Sequence, residues 1–266
     1  MIKFGLIGNP VSHSKSPDYF NRKFEIDKIN AVYQAFKLDE ITQLPSLINS
    51  ENELIGLNVT SPFKTDVLRY VDILTPEAQG VGAVNTLYIS RKDGKPGFHI
   101  IGHNTDVAGV VALLRPFGDL NRRNALILGS GGAARSVAVA LQSLGTEYLI
   151  VTRGDGNIDE KLINYNDINS SNLKPDSIII DATPLGMGML KDKCPALPWD
   201  LIGGGNICID LVYSPAVTPF LRESLSRGAT VKNGFTMLIA QAEASWDFWG
   251  RHVGELSTPY DSGHLS

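Results

Sequence analysis

The sequence predicts an α/β protein of two domains. Short apolar runs alternate with longer amphipathic ones, the pattern of strands and helices built around mostly parallel sheets. One stretch of the second half reads as a clean strand, glycine turn, helix and strand in succession. The length of 266 residues suits one large domain or two smaller ones. Apolar residues are 43% and charged residues 20% of the chain, close to the globular average, which excludes wholesale disorder.

Ile2–Gly8 is a buried strand that starts at once, and Asn9-Pro10 ends it. Pro17 to Ile26 reads as a helix, with Ser16 as N-cap and Pro17 at its first position. Ala31–Leu38 is a strand, Ile41–Ile48 a helix despite Pro45, and Leu54–Val59 a strand followed by a short helix after Pro62. Ala83–Ser90 and Gly97–Gly102 form a hairpin around Lys92-Asp93-Gly94-Lys95. Asp106–Phe117 is a helix with an apolar stripe at Val107, Val110, Val111 and Leu114. Ala125–Leu128 is a strand, Ala133–Leu144 a helix and Tyr148–Thr152 a strand. Ser177–Asp181 and Asn206–Leu211 are two more buried strands, Pro215–Ser226 a helix and Thr230–Lys232 a short strand. Thr236–Trp249 is a long apolar helix at the C-terminal end. Boundaries near Gly102–Asp106 and Asn233–Gly234 give one domain of residues 1–104 with 234–266, the last helix returning to it, and a second of residues 105–233.

The net charge of −4, with no long basic run, argues against nucleic acid or an anionic membrane as partner. Cys194 and Cys208 are too few for a disulfide framework or a four-cysteine zinc site, and no His/Asp/Glu grouping has zinc spacing, so no metal is expected. No segment reaches the roughly 18 apolar residues of a membrane span, and the first apolar run is too short for a signal-peptide core. The expectation is a cytoplasmic protein.

The sharpest local signal is Leu126-Ile127-Leu128-Gly129-Ser130-Gly131-Gly132-Ala133-Ala134. An apolar strand, three glycines and a small-residue helix start are the parts of a dinucleotide fingerprint, in its G-x-G-x-x-A form. Gly129 permits the tight turn, Gly131 lets the backbone approach a pyrophosphate, and the helix N-terminus offers unpaired N–H groups and a positive dipole end. The domain that contains it is therefore expected to be Rossmann-type. At the end of the next strand an acid would bond the ribose of NAD, and an arginine would take the 2′-phosphate of NADP. Thr152-Arg153-Gly154-Asp155 puts Arg153 there, with Asp155 two residues on as the group that would serve a ribose diol instead. The cofactor expected is NADP, with NAD the alternative.

The first half carries a second pattern. Short polar segments follow predicted strands: Gly8-Asn9-Pro10-Val11-Ser12-His13-Ser14-Lys15-Ser16-Pro17, Asn58-Val59-Thr60-Ser61-Pro62-Phe63-Lys64, Gly82-Ala83-Val84-Asn85-Thr86 and Gly102-His103-Asn104-Thr105-Asp106. Ligands of parallel α/β sheets bind at such strand ends. Hydroxyls, carboxamides, one lysine and one aspartate suit a polyhydroxylated small molecule.

These segments, in this order, resemble the shikimate dehydrogenases, which reversibly reduce 3-dehydroshikimate with NADPH on the route to chorismate and the aromatic amino acids. Ala182-Thr183-Pro184-Leu185-Gly186-Met187, Asp210-Leu211-Val212-Tyr213-Ser214-Pro215 and Gly234-Phe235-x-Met237-Leu238-x-Ala240-Gln241-Ala242 resemble further segments of the family, so the likeness runs over nearly the whole chain. The resemblance implies that Ser14, Ser16, Asn58, Thr60, Lys64, Asn85, Asp106 and Gln241 bind substrate, with Tyr213 nearby. It implies that Lys64 and Asp106 are the catalytic pair. It also implies that Gly129, Ser130, Gly131, Gly132, Ala133, Thr152, Arg153, Leu211 and Gly234 contact the dinucleotide. His13 is not needed as a base.

On this reading Lys64 donates a proton to the reacting oxygen in reduction and accepts one in oxidation. Asp106 holds the lysine and binds a neighbouring hydroxyl. The family usually has Asn-Arg-Thr where this chain has Thr152-Arg153-Gly154-Asp155. Related quinate/shikimate dehydrogenases often carry an aspartate after that arginine and accept NAD, which makes such an enzyme the runner-up. A non-catalytic dinucleotide-binding sensor is the reading from another class, and the presence of both Lys64 and Asp106 speaks against it. The partners expected are a small-molecule substrate and, at most, a second copy of the chain: a monomer or homodimer.

Overall fold

The computed structural model describes residues 1–12, 14–91, 97–153 and 161–253. His13, the turn at Lys92-Asp93-Gly94-Lys95, Gly154, Asp155 and the tail after Val253 lie outside the described residues. The chain divides into two compact units, one formed by Met1–Thr105 with the chain from Ala242 on, the other by Asp106–Gln241. The C-terminal helix therefore contributes its first turns to the second unit and the rest to the first, whereas the sequence boundaries near Asn233–Gly234 would give the whole helix to one domain.

The first unit contains β1 (Ile2–Gly8), α1 (Ser16–Ile26), β2 (Ala31–Lys37), α2 (Leu44–Ser50), β3 (Leu54–Val59), β4 (Ile73–Leu74), α3 (Pro76–Val81), β5 (Thr86–Ser90) and β6 (His99–His103). Its sheet runs β2-β1-β3-β5-β6-β4. The pairs β1/β2, β1/β3 and β4/β6 are parallel, and β5 is antiparallel to both β3 and β6. The sheet is thus mixed, because the hairpin brings β5 back into its centre. Alternation along β1 sends Ile7 to one face and Phe4 and Leu6 to the other. The Ile7 face packs on Leu44, Ile48, Phe63 and Val67, and the Phe4 face on α1 and the C-terminal helix.

The second unit contains α4 (Asp106–Leu114), β7 (Asn124–Leu128), α5 (Gly132–Ser143), β8 (Glu147–Thr152), β9 (Leu162–Asn164), β10 (Ile178–Asp181), β11 (Ile207–Asp210), α6 (Pro219–Ser226), β12 (Thr230–Asn233) and the start of α7 (Phe235–Val253). Its strands are all parallel, in the order β12-β11-β10-β7-β8-β9. Counted from β7, that is the 3-2-1-4-5-6 order of the Rossmann fold, with its switch point between β7 and β10. Ile178, Ile179 and Ile180 are all buried, as a strand covered on both faces requires.

Two close approaches explain how α7 serves both units. A Cβ on Gly109 of α4 would lie 2.9 Å from the Met237 side chain and 3.2 Å from that of Gln241, so the early turns of α7 sit hard against α4. A Cβ on Gly56 of β3 would lie 2.6 Å from Nε1 of Trp249. The fully buried Trp249 packs its ring 4.7 Å from Phe4 and donates to the Leu87 carbonyl at 2.9 Å. Truncating such a buried tryptophan costs about 3–5 kcal/mol.

Several boundaries differ from the sequence reading. Ser16 is the first helical residue of α1 rather than its cap: Lys15 holds the N-cap position, and Ser14 Oγ accepts the Ser16 N–H at 3.2 Å. A 3₁₀ turn at Ile41–Gln43 precedes α2, because Pro45 has no N–H to give and takes a first-turn position. Helix α6 starts at Pro219, four residues later than expected from Pro215, where the Thr218 hydroxyl accepts the Leu221 N–H. The elements β4, α3 and β9 were not anticipated. Among the described residues no helix is long and apolar enough to cross a membrane.

Candidate active site

In the first unit the strand ends are knitted together by backbone. Thr60 N–H donates to the Ile7 carbonyl at 2.9 Å and Asn9 N–H to the Ser61 carbonyl at 3.1 Å, so the segments after β1 and β3 lie side by side. Gly8 is required there, since a Cβ would sit 2.4 Å from Thr60 Cγ2. Lys64, half-buried, follows the buried Phe63, and its carbonyl accepts the Val84 N–H at 2.8 Å. That bond ties the lysine loop to the Val84-Asn85 segment. Val59 N–H in turn reaches the Asn85 carbonyl at 2.8 Å, and Asn85 N–H the His103 carbonyl at 3.1 Å.

Beneath these loops lies a buried neutral network. Asn58 Nδ2 donates to Ser245 Oγ at 2.9 Å, Thr86 Oγ1 at 3.1 Å and the Asn85 carbonyl at 3.2 Å. Its Oδ1 accepts the Tyr33 hydroxyl at 2.8 Å. Burial holds the Tyr33 phenol well above its ordinary pKa, so it remains a donor. Asn85 Oδ1 accepts the Thr105 N–H at 2.8 Å and the Thr86 hydroxyl at 3.0 Å. Asn58 is therefore engaged inside the fold, where it supports the segment that carries Thr60 and Lys64. Ser14 and Ser16 stand at the start of α1, where Ser14 is half-buried.

In the second unit, Gly129 adopts φ +102°, which only glycine takes without strain, and Gly131 is the N-cap of α5. A Cβ on Gly131 or Gly132 would meet nothing within 4 Å, so open space stands over the helix N-terminus. A cleft of about 800 Å³ lies there, lined by Gly129–Gly131, Val151–Arg153, Tyr165, Ala182–Leu185, Leu190 and Lys193–Ala196. Of the residues expected to hold a dinucleotide, Gly129, Ser130, Gly131, Thr152 and Arg153 line this cleft, with Ser130 Oγ 3.5 Å from Thr152 Oγ1. Arg153 is exposed at the end of β8, and Ala133 stands in the first turn of α5. Leu211 and Gly234 meet each other beyond β11 and β12, where a Cβ on Gly234 would overlap the Leu211 carbonyl at 2.0 Å. Tyr213 follows half-buried. Asp106 begins α4 and is buried, and half-buried Gln241 donates to the Leu238 carbonyl at 3.1 Å.

Sequence reasoning did not single out the cleft residues Tyr165, Lys193 and Cys194. Thr183 and Pro184 carried a signal, being polar and turn-forming just after a buried strand; Tyr165 follows a three-residue strand without a pattern. Burial, with the nearby Asp181 carboxyl, moves the Tyr165 phenol up to about 12. Burial, then Asp181, Glu223 and Asp210, move the Cys194 thiol up to about 12, which leaves it without thiolate character near neutrality. Burial also raises Asp181 to about 7 and Asp210 to about 6. Among the described residues no group of His, Cys, Asp or Glu is arranged to hold a metal ion.

A parallel sheet in the 3-2-1-4-5-6 order, with a glycine turn and open cleft at its switch point, defines a Rossmann-type nucleotide-binding protein. Residues 6–87 match the shikimate dehydrogenase substrate binding domain. The NADP(+) shikimate dehydrogenase of Maridesulfovibrio salexigens is 36% identical over 253 residues, covering 92% of this chain and 90% of that one. A Thermus thermophilus shikimate 5-dehydrogenase, solved in complex with NADP(H) and shikimate, superposes with a TM-score of 0.77 at 30% identity, covering 94% of this chain and 93% of that one. A Listeria monocytogenes shikimate 5-dehydrogenase, solved with shikimate and NAD, superposes with a TM-score of 0.82 at 28% identity, covering 94% and 92%. The chain belongs to the shikimate dehydrogenase family.

Proposed function

We propose that this chain is an NADP-dependent shikimate dehydrogenase, interconverting shikimate and 3-dehydroshikimate in aromatic amino acid biosynthesis. The observation that carries the reading is 36% identity with such an enzyme over 92% of the chain, together with Lys64 on a buttressed strand-end loop and Arg153 at the rim of a glycine-lined cleft. The open space over Gly131 and Gly132 fits a pyrophosphate, and Arg153 suits a 2′-phosphate. Gly132, Ala133, Leu211 and Gly234 complete the dinucleotide set. When bound, the nicotinamide supplies or accepts the hydride.

The protein's share is to hold the substrate and move one proton. Ser14, Ser16, Thr60, Asn85, Tyr213 and Gln241 present neutral hydrogen-bonding groups, so the substrate carboxylate is held largely by hydroxyls. Lys64 donates a proton to the ketone oxygen in reduction and takes it back in oxidation. Asp106 orients the lysine and a neighbouring hydroxyl. Asn58 acts one step back, holding the loop that carries Thr60 and Lys64. The domain of residues 1–104 with 234–266 expected from the sequence is assigned the substrate, and the domain of residues 105–233 the cofactor.

A cytoplasmic monomer or homodimer without a nucleic-acid partner is the setting assigned, on the grounds of a diffusible metabolite, a pyridine cofactor and a net charge of −4. The test is formation of NADPH from shikimate and NADP⁺ by the purified chain, with quinate and NAD⁺ as comparators. Turnover of shikimate with NADP⁺ as the preferred pair is expected. No turnover of shikimate with either nucleotide would overturn the reading.

A further inference from the structure

Asp181 ends β10, next to the switch point, and its carboxyl group is buried. Oδ1 accepts the Thr183 N–H at 2.9 Å and the Thr183 hydroxyl at 2.7 Å, and Thr183 Oγ1 accepts the Leu185 N–H at 3.3 Å. This single oxygen shapes the Ala182–Leu185 turn, which forms one wall of the cleft. Thr183 Cγ2 stands 3.2 Å from where a Cβ of Gly129 would be, so the wall faces the glycine turn directly. Among the described residues Oδ2 of Asp181 has no hydrogen-bond partner.

The surroundings do not favour a negative charge. Asp210 lies in register on β11, with its oxygens engaged by Val212 N–H and the Thr218 hydroxyl. Tyr165, after β9, and Cys194, in the segment after Lys193, both feel the Asp181 charge as acids. Arg153 acts on Tyr165, Glu223 of α6 on Cys194, and Lys193 lines the same cleft. Neither oxygen of Asp181 accepts from a lysine, arginine or histidine among the described residues.

We propose that Asp181 is a positioning residue of the cofactor cleft whose proton is coupled to dinucleotide binding, so that the Asp181–Asp210 pair takes up a proton as the nucleotide binds. A nucleotide in the cleft brings phosphate charge to the side of the Ala182–Leu185 wall away from Asp181 and replaces solvent there with a lower-dielectric ligand, and both effects disfavour the carboxylate. Coupling is reciprocal: what the nucleotide does to the proton, the proton does to the nucleotide. The lone acceptor Oδ1 keeps the Thr183 turn in place in either state, so the change is one of affinity. The inference rests on the dinucleotide reading of the cleft.

The test is the dissociation constant of NADH and of NADPH, read by nucleotide fluorescence, from about pH 5.5 to 9, in the wild type, Asp181→Asn and Asp210→Asn. NADH is the deciding probe, because it lacks the 2′-phosphate that itself titrates near pH 6. The wild type is expected to bind NADH about three- to tenfold more weakly at the alkaline end, a coupling of about half to one pK unit. Asp181→Asn should flatten the profile. Asp210→Asn, by removing the neighbouring like charge, should move the wild-type transition to lower pH. An NADH profile of the same shape in wild type and Asp181→Asn overturns the proposal. Should Asp181→Asn fail to fold, an unmoved transition in Asp210→Asn does so. Failure of the folded wild type to bind either nucleotide at any pH overturns the dinucleotide reading instead.

Discussion

The strand ends of the two units solve the same problem with opposite chemistry. In the first unit the polar groups under the loops are carboxamides and hydroxyls: Asn58, Asn85, Thr86, Thr105 and Ser245. In the second they are the carboxyls Asp181 and Asp210, side by side and buried. A neutral network has no charge to desolvate and works the same way across ordinary pH. A buried carboxyl pair also anchors loops, through Thr183, Val212 and Thr218, but it ties their stability and their ligand to the proton. The first arrangement suits a site that must present a lysine in constant geometry. Under the proposed coupling, the second ties the wall of the nucleotide cleft to the proton.

The contrast can be tested from its strongest consequence down. Lys64→Ala removes the proposed proton carrier while sparing the network, and kcat should fall about 10²- to 10⁴-fold with a much smaller change in KM for shikimate. Steady-state kinetics showing more than half of wild-type kcat would remove Lys64 from the chemistry. Arg153→Ala acts only on the second unit. It should weaken NADP binding about 10- to 150-fold, the worth of charge-assisted hydrogen bonds to a phosphate, and leave NAD nearly untouched. Equal losses for both nucleotides would mean that Arg153 does not read the 2′-phosphate.

Asn58→Ala removes an acceptor of the buried Tyr33 hydroxyl and a donor to Ser245, Thr86 and the Asn85 carbonyl, and should destabilise the protein by about 1–3 kcal/mol in urea unfolding. Because its partners are neutral, that loss should be the same at pH 6 and pH 8. A pH-dependent loss would break the distinction drawn between the units. Asp181→Asn is the counterpart. The folded carboxyl, raised to about 7, keeps a proton that the unfolded chain releases near its ordinary value. Stability is therefore lost as pH rises from about 4 to 7, and the variant escapes that loss. Its Tm relative to wild type should climb between acid and mildly alkaline pH, by thermal unfolding, and an unchanged difference would remove Asp181 from the pH dependence.

Much of this was readable in local sequence. The glycine turn at Gly129–Gly132 announces its conformation because a positive φ and an open helix start depend on the residues themselves. The strand-end segments around Ser14, Lys64 and Arg153 could be located because each is a short polar run that follows a strand, while the roles assigned to Ser14 and Lys64 come from the family resemblance. The boundary errors have local causes too. Ser16 yields the capping role to its neighbours, and α6 waits for Thr218, whose hydroxyl serves both Leu221 and Asp210.

What the sequence did not disclose concerns pairs far apart in the chain. Asn58 is expected from the family resemblance to bind substrate, and only the fold shows that its side chain bonds Ser245 and Tyr33. Gly56 carries no signal of its own in the sequence, and only the fold shows Trp249 filling the space where a side chain would be. Asp181 reads as a strand end, and only the packing of β10 between β7 and β11 removes its water and sets Asp210 beside it. Backbone conformation and residue chemistry are local, and so a linear reading finds them. Burial and the company a charge keeps depend on contacts among distant segments, and only the folded chain decides those.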